Sequence, residues 1–343
     1  MFIDDGMLVI KPTLQDQTLI DTDGTIVDLL ADGTCSNPSN WQACITGTNK
    51  TNGTIVNPVR SGRIHTLNGP RIKYGRIEVV AKLPAGDWLW PAIWLLPAEN
   101  TYGDWPRSGE IDIVESRGNN YTYPQGGNNI ISSAIHWGPN EANDGWWRNN
   151  VKRAALHTTY STGFHTFGLE WSEKYLFTYV DTRLLQVTYV DFKKPFWQVG
   201  QFPLSDSNGT RLTDPWGYTG RTSTPFDQDF YLLLNVGVGG TNGWFKDSKN
   251  GKPWVDGSPS AKLDFWNARN QWYPTWKNTG KMVVKSVKVS RIPIVSLSIG
   301  RLTLFTDLAT EGLQWVLRLS ICTVLRLFVV ASVVAYFNHQ WMG

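Results

Sequence analysis

The chain has 343 residues, with 32 Lys and Arg, 29 Asp and Glu, and a net charge of +3. That length buries a sizeable core and fits a single all-β domain without requiring a second. The weak basic excess, with no block of like charge, leaves no footing for a nucleic-acid or anionic-surface partner.

The predicted elements are short extended runs set between Gly, Pro, Asn and Asp. In chain order they include 7–10, 76–81, 110–115, 130–135, 175–180, 230–236 and 282–289. Some alternate apolar and polar residues, as half-buried strands do; others are continuously apolar, as inner strands are. Long helical periodicity with caps is absent. Many short strands with frequent turn signals predict an antiparallel sandwich or barrel. Between them lie long loops at about 31–58, 97–108, 116–129, 138–155 and 240–262. Structureless stretches of that length in a compact domain are usually functional or covering loops. The aromatic content is the outlier: 18 Trp, 12 Tyr and 14 Phe. An indole suits both a core and the flat face of a sugar, and this number leaves some for a cleft after the core is filled.

Cys35 and Cys44 bracket an eight-residue segment, a spacing compatible with a small disulfide-closed loop or with two free thiols; Cys322 has no evident partner. Asn-x-Ser/Thr sequons stand at Asn49, Asn52, Asn120 and Asn208 and favour a secreted glycoprotein. No signal peptide opens the chain, and the two observations together predict a truncated N-terminus. Past about residue 292 the character changes. Residues 313–337 read as an apolar, helix-compatible segment interrupted by Arg318 and Arg326. It fits a transmembrane span, a docked amphipathic helix or a non-native extension. The expected division is therefore a domain over 1–292 and an atypical hydrophobic tail over 293–343.

The chemistry concentrates in Glu110-Ile111-Asp112-Ile113-Val114-Glu115. On a strand, Glu110 and Asp112 share a face. Glu115 would fall on the other face unless one extra residue, a β-bulge at Ile113-Val114, returns it. A helix would spread the three acids around most of its circumference. Three carboxyls on one surface repel and cannot all ionise easily, which is costly in a structural strand and useful in a glycosidase. Retaining hydrolysis needs a nucleophile and a protonated acid about 5–5.5 Å apart, and a third acid between them pushes their pKa values apart. The assignment is Glu110 as nucleophile, Glu115 as general acid/base and Asp112 as the partner that poises Glu110. The structural alternative is a solvated acidic face on an edge strand. Trp88, Trp90, Trp94 and Trp105 precede Glu110 closely, and His136 ends a following strand, where a lone His is often a structural residue.

The Glu-x-Asp-x-x-Glu spacing resembles the laminarinase-type motif of glycoside hydrolase family 16; the lichenase-type motif is one residue shorter. The stretches Tyr74-Gly75-Arg76-Ile77-Glu78-Val79, Leu89-Trp90-Pro91-Ala92-Ile93-Trp94, Trp105-Pro106-Arg107-Ser108-Gly109-Glu110 and Leu234-Asn235-Val236-Gly237-Val238-Gly239-Gly240 are similar to β-1,3-glucanases and to the related β-1,3-glucan-binding proteins. The resemblance covers residues 6 to 292. It implies a concanavalin A-like β-jelly-roll of two curved antiparallel sheets with the glycan in a cleft, and an endo-acting, retaining β-1,3-glucan hydrolase. The alternatives are a non-catalytic glucan-binding protein and a transglycosylase. By position it implies that Trp90, Trp94, Trp105, His136 and Asn235 are cleft residues. It further implies no catalytic cofactor, a structural calcium in some members with no assignable site here, a monomer with β-glucan as partner, and an extracellular or cell-surface location. The chain departs from the family at both ends, where strand sequence is missing before Asp5 and the tail matches nothing familiar.

Overall fold

Every second residue of Gly75–Lys82 is buried, the pattern of a strand with one face on a core. Leu89–Pro97 and Phe230–Val238 are buried at all nine positions each, so both of their faces are covered. The computed structural model describes residues 1–35 and 44–291, and the backbone of 315–317. Its strands, in chain order, are β1 (Phe2–Asp4), β2 (Met7–Ile10), β3 (Thr13–Leu14), β4 (Ile26–Asp28), β5 (Ile45–Gly47), β6 (Val59–Arg60), β7 (Arg63–His65), β8 (Gly75–Lys82) and β9 (Leu89–Pro97). They continue with β10 (Glu110–Ser116), β11 (Ile130–His136), β12 (Val151–Ala154), β13 (His165–Trp171), β14 (Tyr175–Val180), β15 (Gln186–Asp191), β16 (Phe230–Val238), β17 (Met282–Ser290) and β18 (Trp315–Leu317).

Two antiparallel sheets form the sandwich. One runs β1-β2-β17-β8-β13-β14-β15, with β18 also paired to β17; the other runs β12-β11-β10-β9-β16-β7. Two-stranded ladders, β3 with β6 and β4 with β5, flank them. The core lies between the facing surfaces: Ile77, Val79 and Ala81 of β8 and Phe167, Leu169 and Trp171 of β13 meet Ile93 and Leu95 of β9, Ile111 of β10 and Leu232 and Leu234 of β16. On its outer face the six-stranded sheet carries a second apolar cluster of Ala92, Trp94, Leu96, Tyr231 and Leu233, with Leu67, Ala98 and Trp105 packed against it. That cluster is why β9 and β16 read as continuously apolar.

The stretch 138–155, expected as loop, contains the edge strand β12, which pairs with Ile130–Ser133 of β11. Its side chains are exposed or half-buried throughout, so no apolar run announces it; backbone pairing alone makes it a strand. Among the described residues the helices are short, the longest being Ala261–Asn267. Cys35 and Cys44 form a disulfide with a Cα separation of 5.6 Å. The segment 36–43 between them, Cys322 and the helical reading of most of 313–337 lie outside the described residues, whereas Trp315–Leu317 is extended. No helix among the described residues is long and apolar enough to cross a membrane.

Candidate active site

Gly109 brings the chain into β10 at φ +85°, a conformation that disfavours side chains, and a Cβ there would stand 3.0 Å from Phe226 Cε1. Glu110 then pairs with His136 on β11 and Asp112 with Ala134. From Asp112 to Glu115 β10 advances three residues, while β11 passes only from Ala134 to Ser132 and β9 only from Trp94 to Ala92. The extra residue is a bulge. Ile113 and Val114 both enter the core, and Glu115 returns to the outer face beside Glu110 and Asp112. The Ile113 carbonyl accepts a hydrogen bond from Ser133 Oγ.

Each glutamate is held by one indole. Trp105 Nε1 donates to Glu110 Oε2 at 2.7 Å, and Trp90 Nε1 donates to Glu115 Oε1 at 2.9 Å. His136 bridges two aspartates, with Nε2 3.2 Å from Asp112 Oδ2 and Nδ1 2.5 Å from Asp144 Oδ2. Glu110, Asp112 and His136 each bring one polar atom into a group whose members all lie within 4.8 Å of one another.

Burial, and then the Asp112 carboxylate, push Glu110 well above the ordinary carboxylate range, against the opposing pull of His136 and the Trp105 N–H. The same two causes push Glu115 up to about 8, opposed by His136, the Trp90 N–H and the Arg117 guanidinium. Burial alone would pull His136 down, but Glu110, Asp112 and Asp144 together hold it well above its usual value. The carboxyls around His136 therefore favour its charged form against the cost of burial.

The aromatic and polar residues expected in a cleft divide into two groups. Trp105 and His136 are half-buried at the surface of the site, 5.5 Å apart by ring centroids. Trp90, Trp94 and Asn235 are no more than 4 % exposed and act from beneath: Trp94 Nε1 donates to Asn235 Oδ1 at 2.7 Å. Residues that the sequence did not single out complete the arrangement. Asp144 comes from the loop after β11, Arg63 of β7 stands 5.1 Å over the Trp94 ring, and Trp244 stacks on Trp90 at 4.4 Å. Trp146 lies near-parallel to His136 at 6.1 Å and is 39 % exposed. None carries a local signal, since each comes from a loop or edge strand that only the sheet order brings to β10. A polar cavity of about 390 Å³, lined by Tyr102, Arg107, Asn140, Arg211 and Tyr218 among others, lies outside the acidic cluster.

All four sequon asparagines are exposed. Among the described residues, one group of three or more His, Cys, Asp or Glu side chains is spaced to share an ion, and it is Glu110, Asp112 and His136.

Two antiparallel sheets, one carrying three carboxyls in a bulged strand among indoles, define a β-sandwich of the glycoside hydrolase type. The model of the glycosyl hydrolases family 16 matches residues 37–214, and the chain belongs to that family. A β-1,3-glucan-binding protein of Penaeus monodon is 46 % identical over 224 residues, 65 % of this chain and 58 % of that protein. A glucan endo-1,3-β-glucosidase of Cryptopygus antarcticus is 33 % identical over 167 residues, 49 % of this chain and 51 % of its own. Among solved structures, the laminarinase catalytic domain of Thermotoga maritima aligns over 85 % of this chain and 80 % of its own with a TM-score of 0.48 and 21 % identity. The chain spans about half the length of the curated relatives it matches.

Proposed function

We propose that this protein is an endo-acting, retaining β-1,3-glucan hydrolase. The observation that carries the reading is the bulge in β10, which sets Glu110, Asp112 and Glu115 on one face with an indole N–H on each glutamate. In the proposed cycle the Glu110 carboxylate attacks the anomeric carbon while Glu115 gives its proton to the departing glycosidic oxygen. Glu115, now ionised, takes a proton from water; that water attacks the anomeric carbon and releases Glu110. The roles follow from position. Glu110 opens β10 against His136, whose charge opposes the rise of both glutamates, and in this reading the ionised form is assigned to Glu110 and the proton to Glu115. Asp112, between them, disfavours the ionisation of both at once. The exposed sequons and the Cys35–Cys44 disulfide support an extracellular or cell-surface location.

A second reading, glucan recognition without cleavage, is favoured by the name of the Penaeus monodon relative. Incubation with laminarin, with mixed-linkage barley glucan alongside, separates the two. The hydrolase reading expects reducing oligosaccharides from the native protein, lost in Glu110→Gln with binding kept; longer products would mark transfer to a sugar hydroxyl in place of water. Folded native protein that binds laminarin and never cleaves it establishes the recognition reading.

A further inference from the structure

Resting on that reading, we infer that Trp244 and Arg117 are positioning residues: Trp244 stacked on Trp90, and Arg117 stacked on Trp244, fix the plane of the Trp90 indole and, through its N–H, the orientation of the Glu115 carboxyl. The Trp90 and Trp244 rings are parallel to within 6°, with centroids 4.4 Å apart. The Arg117 guanidinium stands 3.9 Å from the Trp244 centroid; at these separations the two partners must occupy opposite faces of that ring. Arg117 also grips the backbone beneath it, with Nε and Nη2 donating to the Trp244 carbonyl at 3.0 and 2.7 Å. The stack therefore runs guanidinium, Trp244 indole, Trp90 indole, with the Glu115 carboxyl at the edge of the last ring on its N–H.

The loop carrying Trp244 is itself pinned. The Lys252 side chain is wholly buried; its Nζ lies 2.5 Å from Asp247 Oδ1 and also contacts Asp256 Oδ1. Asp256 Oδ2 accepts from the Gly243 N–H at 2.8 Å, immediately before Trp244, and Trp254 Nε1 donates to the Gly240 carbonyl at 2.7 Å. An N–H aims a hydrogen bond only as well as its ring plane is held; the cation on the far face of Trp244 holds that ring more tightly than apolar contact alone, and Trp244 in turn holds the plane of Trp90. Arg117 adds its charge, which opposes the upward push on Glu115. A stack that only packed the loop would stabilise the fold and leave the titration of Glu115 where it is.

The test follows the Glu115 carboxyl by carbon-13 NMR against pH in glutamate-labelled protein, the signal assigned by its loss in Glu115→Gln. The pH profile of laminarin hydrolysis is measured beside it. In Trp244→Ala and Arg117→Gln the Glu115 midpoint should rise by about half a unit or more. The basic limb of kcat should move up with it, and kcat should fall roughly tenfold with KM within about twofold; Trp244→Phe, which restores a ring, should recover both. Folded variants that titrate as the native protein does, or that lose kcat with no shift in midpoint, overturn the inference. Should Arg117→Gln fail to fold, Arg117→Lys, which keeps the charge and loses the planar stack, decides with Trp244→Ala. The carbon titration needs no turnover, so it reads the positioning role even if the protein does not cleave laminarin.

Discussion

Ser133 Oγ donates to the main-chain oxygen of Ile113 across 2.5 Å, on the core side of the β10–β11 pair. Ser133 is fully buried, and Ile113 lies within the interval where the β10–β11 register shifts. One hydroxyl thus meets an acceptor that the bulge turns out of register, and the bulge sets the face of Glu115. Ser133→Ala would leave that carbonyl buried without its side-chain donor, at a cost of about 1–3 kcal/mol. Urea unfolding should show a lower midpoint at unchanged slope, and laminarin cleavage should fall with it. Unchanged stability and activity would mean that packing of Ile113 and Val114 alone holds the bulge.

The raised carboxyl of Glu115 fixes the direction of two pH effects. As general acid it must be protonated, so activity should be lost as pH rises through about 8. Stability has the same sign. Between the ordinary carboxylate value and about 8 the folded state keeps a proton that the unfolded chain has released, so stability falls as pH rises across that window. Glu115→Gln has no such proton to keep. It should match the native protein near pH 4 and exceed it in melting temperature near pH 8, with cleavage lost. A native protein at least as stable at pH 8 would contradict the burial of an uncompensated carboxyl.

Asp144 acts on Glu110 through His136. Its Oδ2 lies 2.5 Å from His136 Nδ1 and helps to keep the ring protonated against burial; the resulting charge opposes the rise of Glu110. Asp144→Asn should lower the imidazole, weaken its charge at neutral pH and let Glu110 rise further. The nucleophile must be ionised, so the acidic limb of kcat/KM should move to higher pH, and because His136 also opposes the rise of Glu115 the basic limb should move the same way. A variant whose acidic limb stays in place would separate Asp144 from the nucleophile.

The acids were legible because their spacing is itself a structural statement. Three carboxyls at positions 110, 112 and 115 share a strand face only if one residue is extra, and the register of β10 against both neighbours contains that residue. The strands carrying the core were legible from apolar runs for the same local reason. Asp144, Arg63, Arg117 and Trp244 were not, because their meaning depends on the order β12-β11-β10-β9-β16-β7, which no local pattern encodes. Trp90 and Trp94 show the converse limit: the sequence offers an indole and not which way it faces, and both are buried beneath the site with their N–H groups on protein acceptors.

Trp146 is the exposed aromatic next to the acids on the β11 side. It lies near-parallel to His136 with 39 % of its surface open, and its neighbour Trp147, 60 % exposed, carries the Arg148 guanidinium 4.2 Å over its ring. Trp105 flanks His136 at 5.5 Å, so the imidazolium has two indole neighbours, of which Trp146 is the more open. A rigid apolar plane beside the carboxyls offers a glucosyl ring a stacking surface at low entropic cost. Trp146→Ala removes that surface without touching a hydrogen bond to either glutamate. KM for laminarin should rise about three- to tenfold, the equivalent of losing one aromatic contact, while kcat on saturating polymer and both pH limbs stay in place. The increase should shrink on oligosaccharides too short to reach the β11 side. If kcat or the pH limbs moved instead, Trp146 would be acting through His136 and not on the sugar.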